Sequence, residues 1–326
     1  MSGGEGPKCR ERSNRTMSET VVVQDLVKVY GDGGRVGPIS LTVRRREVYG
    51  LVGPNGSGKT TTIRAVLGLL KPTKGRVTVL GHNPFEKPKT VNQLIGYSPE
   101  IPVFPPFYTA EQLLTITCRL KGLSRHEAKQ EVGRLLDLTG LVNHAGRKIG
   151  NFSKGMVQRL SIGLSMVGDP EILVLDEPML GVDPVGRVQI RDILRGLKKD
   201  GKTIIFSSHE LYEVERLADT VGMVYMGRTV LERAVSELLI RRGGIKVVAE
   251  LKKPPHPETL EILKTLRGVD EVVAEGQSVT LLMNGYDARD EVAKILANSE
   301  SGLLGLKTLN PTLEEIFIKV VEDALR

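Results

Sequence analysis

Residues 53–61 read GPNGSGKTT, and their types and spacing form a grip for phosphate. Gly53, Pro54, Asn55, Gly56, Ser57, Gly58, Lys59 and Thr60 satisfy G-x-x-x-x-G-K-[ST], after an apolar strand pattern and at the start of a helical one, as that motif requires. Glycines let backbone N–H groups turn inward around phosphate oxygens, and the helix opening near Lys59 adds its positive end. The Lys59 ammonium reaches the terminal phosphates, the Thr60 hydroxyl is placed for Mg²⁺, and Thr61 completes the binding stretch.

Holding phosphate does not by itself hydrolyse it, so a carboxylate is expected at the end of a neighbouring strand. The stretch EILVLDEP, residues 171–178, supplies two. Four apolar residues bury the strand, Asp176 would hold Mg²⁺ through water, and Glu177 is set to orient and deprotonate an attacking water. The next apolar strand ends in Ser207-Ser208-His209, a polar trio where a γ-phosphate sensor would sit. A single histidine there also fits a purely structural part.

These groups need elements to position them. Stretches 21–30, 39–43, 47–52 and 76–80 read as β-branched strands divided by GDGG and KPTKG turns, an antiparallel layer beside the glycine loop. From about 88 to 168 the pattern is helical, with apolar spacing at 110–123, 126–138 and 154–168, apart from an apolar strand-like IGYSP just before Glu100. Strands 171–175, 203–206 and 220–225 then alternate with helices 184–199 and 210–218, the order of a parallel sheet wound with crossover helices.

Beyond about 236 the pattern changes. Strand 245–251, helix 257–267, strands 270–276 and 278–284, helix 287–298 and strand 303–308 give the βαββαβ order of a ferredoxin-like domain. A last helix is expected with Asn310 as N-cap and Pro311 at its first position, carrying Leu313, Ile316, Phe317, Val320 and Val321 on one face. That face either docks on its own domain or meets a partner.

The 326 residues are 40% hydrophobic and 26% charged, enough for one large or two modest cores. Cys9 and Cys118, the two cysteines, make neither a disulfide framework nor a metal site and suit a reducing compartment. Residues 1–16 read as a flexible tail without a signal peptide, and Met17 opens MSETVVVQDL, a second credible start. No apolar run approaches the roughly 20 residues that cross a bilayer. The formal charge of +7 fits nucleic acid, an anionic membrane surface or ordinary solvated surface.

Taken together, GPNGSGKTT, IGYSPE, NFSKGMVQRL, ILVLDEP, LGVDP and SSHE resemble, in order and rough spacing, the ATP-binding-cassette ATPases over about 20–230. The resemblance implies an α/β P-loop NTPase core with a RecA-like parallel sheet, antiparallel β and helical subdomains, and ATP with Mg²⁺ as ligands. Residues 17–236 would be the nucleotide-binding domain, its helical subdomain at about 88–168, and 237–326 a C-terminal accessory domain. By the same resemblance Tyr30 would stack on the base, His209 would contact the γ-phosphate, and Asp183 would lie at the junction of two nucleotide sites.

Two stretches depart from the family pattern. Asn151-Phe152-Ser153-Lys154-Gly155-Met156 stands where the family usually reads LSGGQ, keeping Ser153 and Gly155, a hydroxyl and a free backbone at a helix N-terminus. Lys154 either adds charge toward phosphate or points to solvent. Glu100 replaces a glutamine that touches Mg²⁺ and the transport partner; a carboxylate still binds the metal but loses an amide donor. Both departures, with the C-terminal NPTLEEIF, resemble the export branch.

The family works as two cassettes closed head to tail, so the resemblance implies a homodimer or a heterodimer with a second cassette. It also implies attachment to a separate integral-membrane permease from the cytoplasmic face of the cell membrane. The proline-rich apolar stretch IPVFPPFYTAEQLL within 98–121 reads equally as a docking surface or a packed loop. The alternative, a soluble cassette ATPase acting on nucleic acid, lacks the long heptad insertion or the second cassette of such members, and no nucleic-acid partner is expected. A ligand-sensing C-terminal domain would have His256 and no cysteine, so a structural or dimer-stabilising role is expected for it.

Overall fold

The computed structural model describes residues 19–31, 33–241, 245–283, 287–309 and 312–325, so the expected tail over 1–16 lies outside the described residues. The chain divides into two compact units, one ending at Glu232 and one beginning at Arg233. The change of pattern read at 236 lies within the helix Val235–Arg241.

In the first unit, β1 (Glu19–Val29) pairs antiparallel with β2 (Arg35–Arg44) and with β4 (Lys74–Val79) in a three-stranded sheet. The stretch read as the fourth member of this layer belongs elsewhere. As β3 (Val48–Val52) it lies inside a six-stranded sheet ordered β5-β6-β7-β3-β8-β9, parallel to both neighbours. All five residues of VYGLV are buried, the pattern of a strand covered on both faces.

The other strands are β5 (Ile95–Ser98), β6 (Ile172–Leu175), β7 (Thr203–Ser208), β8 (Thr220–Tyr225) and β9 (Arg228–Ala234). β5 is the strand-like IGYSP within the otherwise helical 88–168 stretch, whereas β9 had no counterpart in the sequence reading. A Cβ on Gly96 would lie 1.9 Å from Ser165 O, so glycine lets a helix pack directly on β5. β9, RTVLERA, is largely polar and half-exposed, which weakens its strand pattern.

Helices α1 (Lys59–Val66) and α2 (Pro88–Leu94) precede a helical group, α3 (Ala110–Leu120), α4 (Arg125–Leu138) and α5 (Lys154–Ser165). Capping boxes start α3 at Thr109 with Gln112 and α4 at Ser124 with Glu127, each satisfying backbone donors at both ends of the pair. Crossover helices α6 (Pro184–Lys199) and α7 (Leu211–Leu217) follow β6 and β7. Ion pairs join these two helices: Arg191 Nη1 lies 2.9 Å from Glu213 Oε2, and Arg187 Nη1 lies 3.7 Å from the other oxygen of Glu213.

The second unit opens with α8 (Val235–Arg241), then β10 (Ile245–Leu251), α9 (Pro257–Thr265), β11 (Val269–Glu275), β12 (Ser278–Met283), α10 (Arg289–Asn298) and β13 (Leu303–Leu309). The sheet is antiparallel, ordered β11-β12-β10-β13, as a ferredoxin-like chain requires. Val247 and Ala249 face Leu281 and Val279 across β10 and β12 and pack with Leu263, Val292 and Leu296. The last helix, α11 (Leu313–Leu325), buries Leu313, Ile316 and Val320, and packs against α8 of the same unit. Asn310 and Pro311, read as its cap and first residue, lie outside the described residues. Among those described, Thr312 and Glu315 exchange the reciprocal bonds of a capping box, so the cap lies two residues beyond the expected one.

Candidate functional site

Parallel strands bring their carboxyl ends to one edge of the six-stranded sheet, where ligands of open α/β sheets bind. At the end of β3 the chain turns through Gly53. A Cβ there would sit 2.1 Å from Val224 O and 2.7 Å from Ser57 Oγ, so only glycine fits. Gly56 and Gly58 have φ of 77° and 112°, which lets the loop curl before α1 begins at Lys59. The first N–H groups of α1 have no intrahelical acceptor and mark the positive end of its dipole.

Lys59 is buried and folds back over this loop. Its Nζ donates to Gly53 O at 2.7 Å and Pro54 O at 3.3 Å, and lies 3.5 Å from Glu177 Oε1. The Ser57 hydroxyl, almost fully buried at the edge of the cavity described below, has no hydrogen-bond partner among the described residues. An unpaired buried donor beside a lysine and a helix N-terminus fits an anionic oxygen.

The strand register fixes the second half of the site. Ser98, Leu175 and Phe206 lie in one row across β5, β6 and β7, so Asp176 and Ser207 meet one residue further on. Ser207 Oγ donates to Asp176 Oδ1 at 2.6 Å and accepts from Glu177 N at 2.8 Å; Ser98 O accepts from Asp176 N at 2.9 Å. Burial pushes the Asp176 carboxyl above its ordinary range, opposed by the Ser207 hydroxyl and reinforced by the neighbouring Glu177 charge. Glu177 has φ of 45°, in the left-handed region, and its Oε2 lies 2.9 Å from His209 Nδ1.

One cavity of about 410 Å³ is lined by Val36, Asn55, Gly56, Ser57, Gly58, Lys59, Thr60, Thr61, Glu100, Glu177, Leu180 and His209. Most of the nucleotide-binding residues read from the sequence therefore share one space. Gly53, Pro54 and Asp176 are not among its lining residues. Tyr30 is half-exposed and holds Thr61, with the two hydroxyl oxygens 2.9 Å apart.

Ser153, Gly155 and Asp183 do not line that cavity. Ser153 caps α5, accepting from Met156 N at 3.3 Å, and Asp183 caps α6, accepting from Gly186 N at 2.7 Å. The two helix starts are adjacent: a Cβ on Gly155 would meet Val182 Cγ1 at 3.2 Å. Lys154 lies against the same segment, because a Cβ on Gly181 would come within 2.2 Å of Lys154 Nζ.

The match of this loop, strand and helix order to known proteins is direct. A family model described as ABC transporter covers residues 36–180. Over 306 residues the chain is 31% identical to the bacitracin transport ATP-binding protein BcrA of Bacillus licheniformis, covering 94% of this chain and 98% of that protein. It belongs to the ABC transporter ATP-binding proteins. Identity to the linearmycin resistance ATP-binding protein LnrL of Bacillus subtilis is also 31%, over 93% of this chain and 98% of that one. Among solved structures, cbiO1 of Clostridium perfringens, described as part of the ABC transporter complex cbiONQ, superposes with a TM-score of 0.63 at 27% identity, covering 69% of this chain and 92% of that one.

As an ABC ATPase the chain binds ATP and belongs to a family that hydrolyses it to power transport. Among the described residues no helix is long and apolar enough to cross a membrane, and no group of three or more His, Cys, Asp or Glu side chains is placed to hold a metal by itself. Sequence reading missed Val36 and Leu180 as cavity walls, and it treated Ser207 as part of a sensor rather than the bracket of two carboxylates. It also missed the buried Ser98–Ser161 pair, whose hydroxyl oxygens are 2.7 Å apart between β5 and α5. Nothing local in the sequence pairs residues so far apart.

Proposed function

We propose that this cassette is the ATP-driven motor of an export system, closing head to tail with a second cassette and working on a separate integral-membrane permease from the cytoplasmic face. The observation that carries the catalytic part is the convergence of Lys59, Glu177 and His209 on one cavity beside the glycine loop. Relatives named for bacitracin transport and linearmycin resistance support the export reading.

Lys59 and the N–H groups opening α1 bind the phosphates, whose oxygens compete for the ammonium now held by Gly53 O and Pro54 O. Tyr30 stacks on the base. The carboxylates of Asp176 and Glu100 and the hydroxyl of Thr60 fit Mg²⁺, a hard cation that takes oxygen ligands. When bound, that ion neutralises charge shared between the β- and γ-phosphates. Glu177 orients a water and takes its proton on the carboxylate, while His209 holds Oε2 in place and contacts the γ-phosphate. Ser153 and Gly155, at the start of α5, act on the nucleotide of the facing cassette, and Asp183 lies at the junction of the two sites.

Ile101, Val103 and Phe107 are 72%, 83% and 63% exposed, an apolar edge just after Glu100. This supports the docking reading of the 98–121 stretch. The test co-expresses the chain with candidate integral-membrane permeases and separates membranes by sedimentation. Wild type is expected in the membrane fraction. Val103→Asp with Phe107→Ala should weaken attachment about 30-fold, the size of a 2 kcal/mol hot-spot loss, with ATP binding retained. A chain that stays in the supernatant and turns over faster with DNA or RNA would overturn the transporter reading.

A further inference from the structure

Ser207 is fully buried at the end of β7 and touches Asp176 and Glu177 at once. Its hydroxyl hydrogen has one direction to donate, taken by Asp176 Oδ1 at 2.6 Å, and its lone pairs face Glu177 N at 2.8 Å. We propose that Ser207 is a positioning residue for ATP hydrolysis, a single hydroxyl that sets the orientation of Asp176 and the backbone of Glu177 together.

The backbone geometry makes that bracket necessary. Glu177 adopts φ of 45°, a conformation that is strained for a non-glycine residue and persists only where the surroundings over-determine it. The described contacts that hold this turn are few. Leu180 N donates to Glu177 O at 3.0 Å, and Glu177 N is held by Ser207 Oγ. The carboxylate end is held separately, by His209 Nδ1 at 2.9 Å and His209 N at 3.4 Å on Oε2 and by Lys59 Nζ at 3.5 Å from Oε1. Without the Ser207 oxygen, the buried Glu177 N–H loses its acceptor, and relaxation of the turn swings the carboxylate away from the water it must deprotonate. Asp176 loses the donor that fixes one of its two oxygens. The described hydrogen bonds of the Ser207 hydroxyl go to Asp176 and to Glu177 N and none to the glycine loop, whose backbone N–H groups bind the phosphates.

Ser207 therefore separates turnover from binding. The neighbouring hydroxyl differs: Ser208 Oγ donates to Glu210 O and accepts from Glu210 N, a local turn with neither carboxylate in it. A hydroxyl inside a strand facing two carboxylates across the parallel register is a specific arrangement, since alanine or valine would fill the same buried position with no polar atom.

The inference rests on the catalytic reading of Glu177, so Glu177→Gln is measured beside it. ATPase rates of the full chain with its membrane partner are expressed per nucleotide-binding site, counted by equilibrium ATP binding. Ser207→Ala is expected to lower kcat by about tenfold to a hundredfold, the range a small misplacement of a reacting group costs, with KM for ATP little changed. Ser207→Thr, which keeps the hydroxyl, should restore most of the rate. Should Ser207→Ala fail to fold, Ser207→Cys takes its place, because a thiol is a weak donor and acceptor, and the same loss of kcat is expected. Wild-type kcat in Ser207→Ala or Ser207→Cys, equal falls in binding and turnover, or a Ser207→Thr rate as low as alanine's would overturn the proposal. Full turnover in Glu177→Gln would instead sink the catalytic reading on which it rests.

Discussion

Lys59 Nζ and Glu177 Oε1 lie 3.5 Å apart, with side chains only 6% and 9% exposed. The pair ties the loop after β3 to the turn after β6, two segments more than a hundred residues apart in the chain, and salt screens it little because it is buried. Its parts answer to different tasks. Lys59 also holds loop carbonyls that phosphate oxygens can replace, whereas Glu177 also holds His209.

That division predicts separable effects. Lys59→Ala should weaken ATP binding to a single chain, and with it every later step. Ser153→Arg, at a helix start outside the cavity, should leave binding to the single chain close to wild type and block ATP-driven dimer formation by at least about tenfold, or 1.4 kcal/mol. Equilibrium nucleotide binding beside analytical ultracentrifugation with ATP separates the two; intact dimer formation and hydrolysis in Ser153→Arg would contradict the head-to-tail arrangement.

The α6–α7 seam makes a stability prediction. Arg191 and Glu213 form a buried pair at 2.9 Å, side chains 9% and 2% exposed, with Arg187 the other cation near Glu213 at 3.7 Å. Removing one partner of a buried pair leaves an uncompensated charge, so Arg191→Ala should destabilise the first unit by about 3 kcal/mol. The exposed pair of Arg45 with Glu171, at 3.1 Å and 58% and 47% exposed, should matter far less, with Arg45→Ala costing under about 1 kcal/mol. Denaturant midpoints of the two variants give the comparison.

Glu232 supplies a pH dependence. Burial pushes its carboxyl above the ordinary value of 4.5, only partly opposed by hydrogen bonds from Thr42 N and Tyr49 Oη. A raised carboxyl pKa means that the folded chain binds the proton more readily than the unfolded one. The stability linked to it is present below pH 4.5 and is lost as pH rises through the folded pKa. Glu232→Gln, neutral throughout, should therefore gain stability relative to wild type as pH rises from 4.5 toward neutrality. Urea unfolding of both proteins across that window checks the sign, and a gap that narrows with rising pH would contradict it.

The nucleotide loop was legible because its chemistry is written locally: backbone donors need glycines, and glycines spaced before Lys59 and Thr60 have few other uses. The ferredoxin-like order was legible for the same reason, since alternation along β10 and β12 matches their buried faces. β3 carried no alternation, because both its faces are covered, so its pattern did not say which sheet it joined. β5 was legible as the strand-like IGYSP, but not the close approach of Ser165 O to Gly96 from a helix 69 residues on. The bracket on Asp176 and Glu177 depends on parallel register between β6 and β7, with Leu175 opposite Phe206, and no local pattern encodes register between distant strands.

In the proposed cycle Glu177 deprotonates the attacking water while Lys59 and the glycine loop hold the nucleotide for a dimer to close over. Its most direct test is ATP hydrolysis by Glu177→Gln, measured beside sedimentation with and without ATP. The expected result is turnover lower by about a hundredfold or more, the usual loss for a general base, with ATP binding retained and a stable dimer forming only with ATP. Substantial wild-type turnover in Glu177→Gln, or a chain that stays monomeric with saturating ATP, would contradict the account.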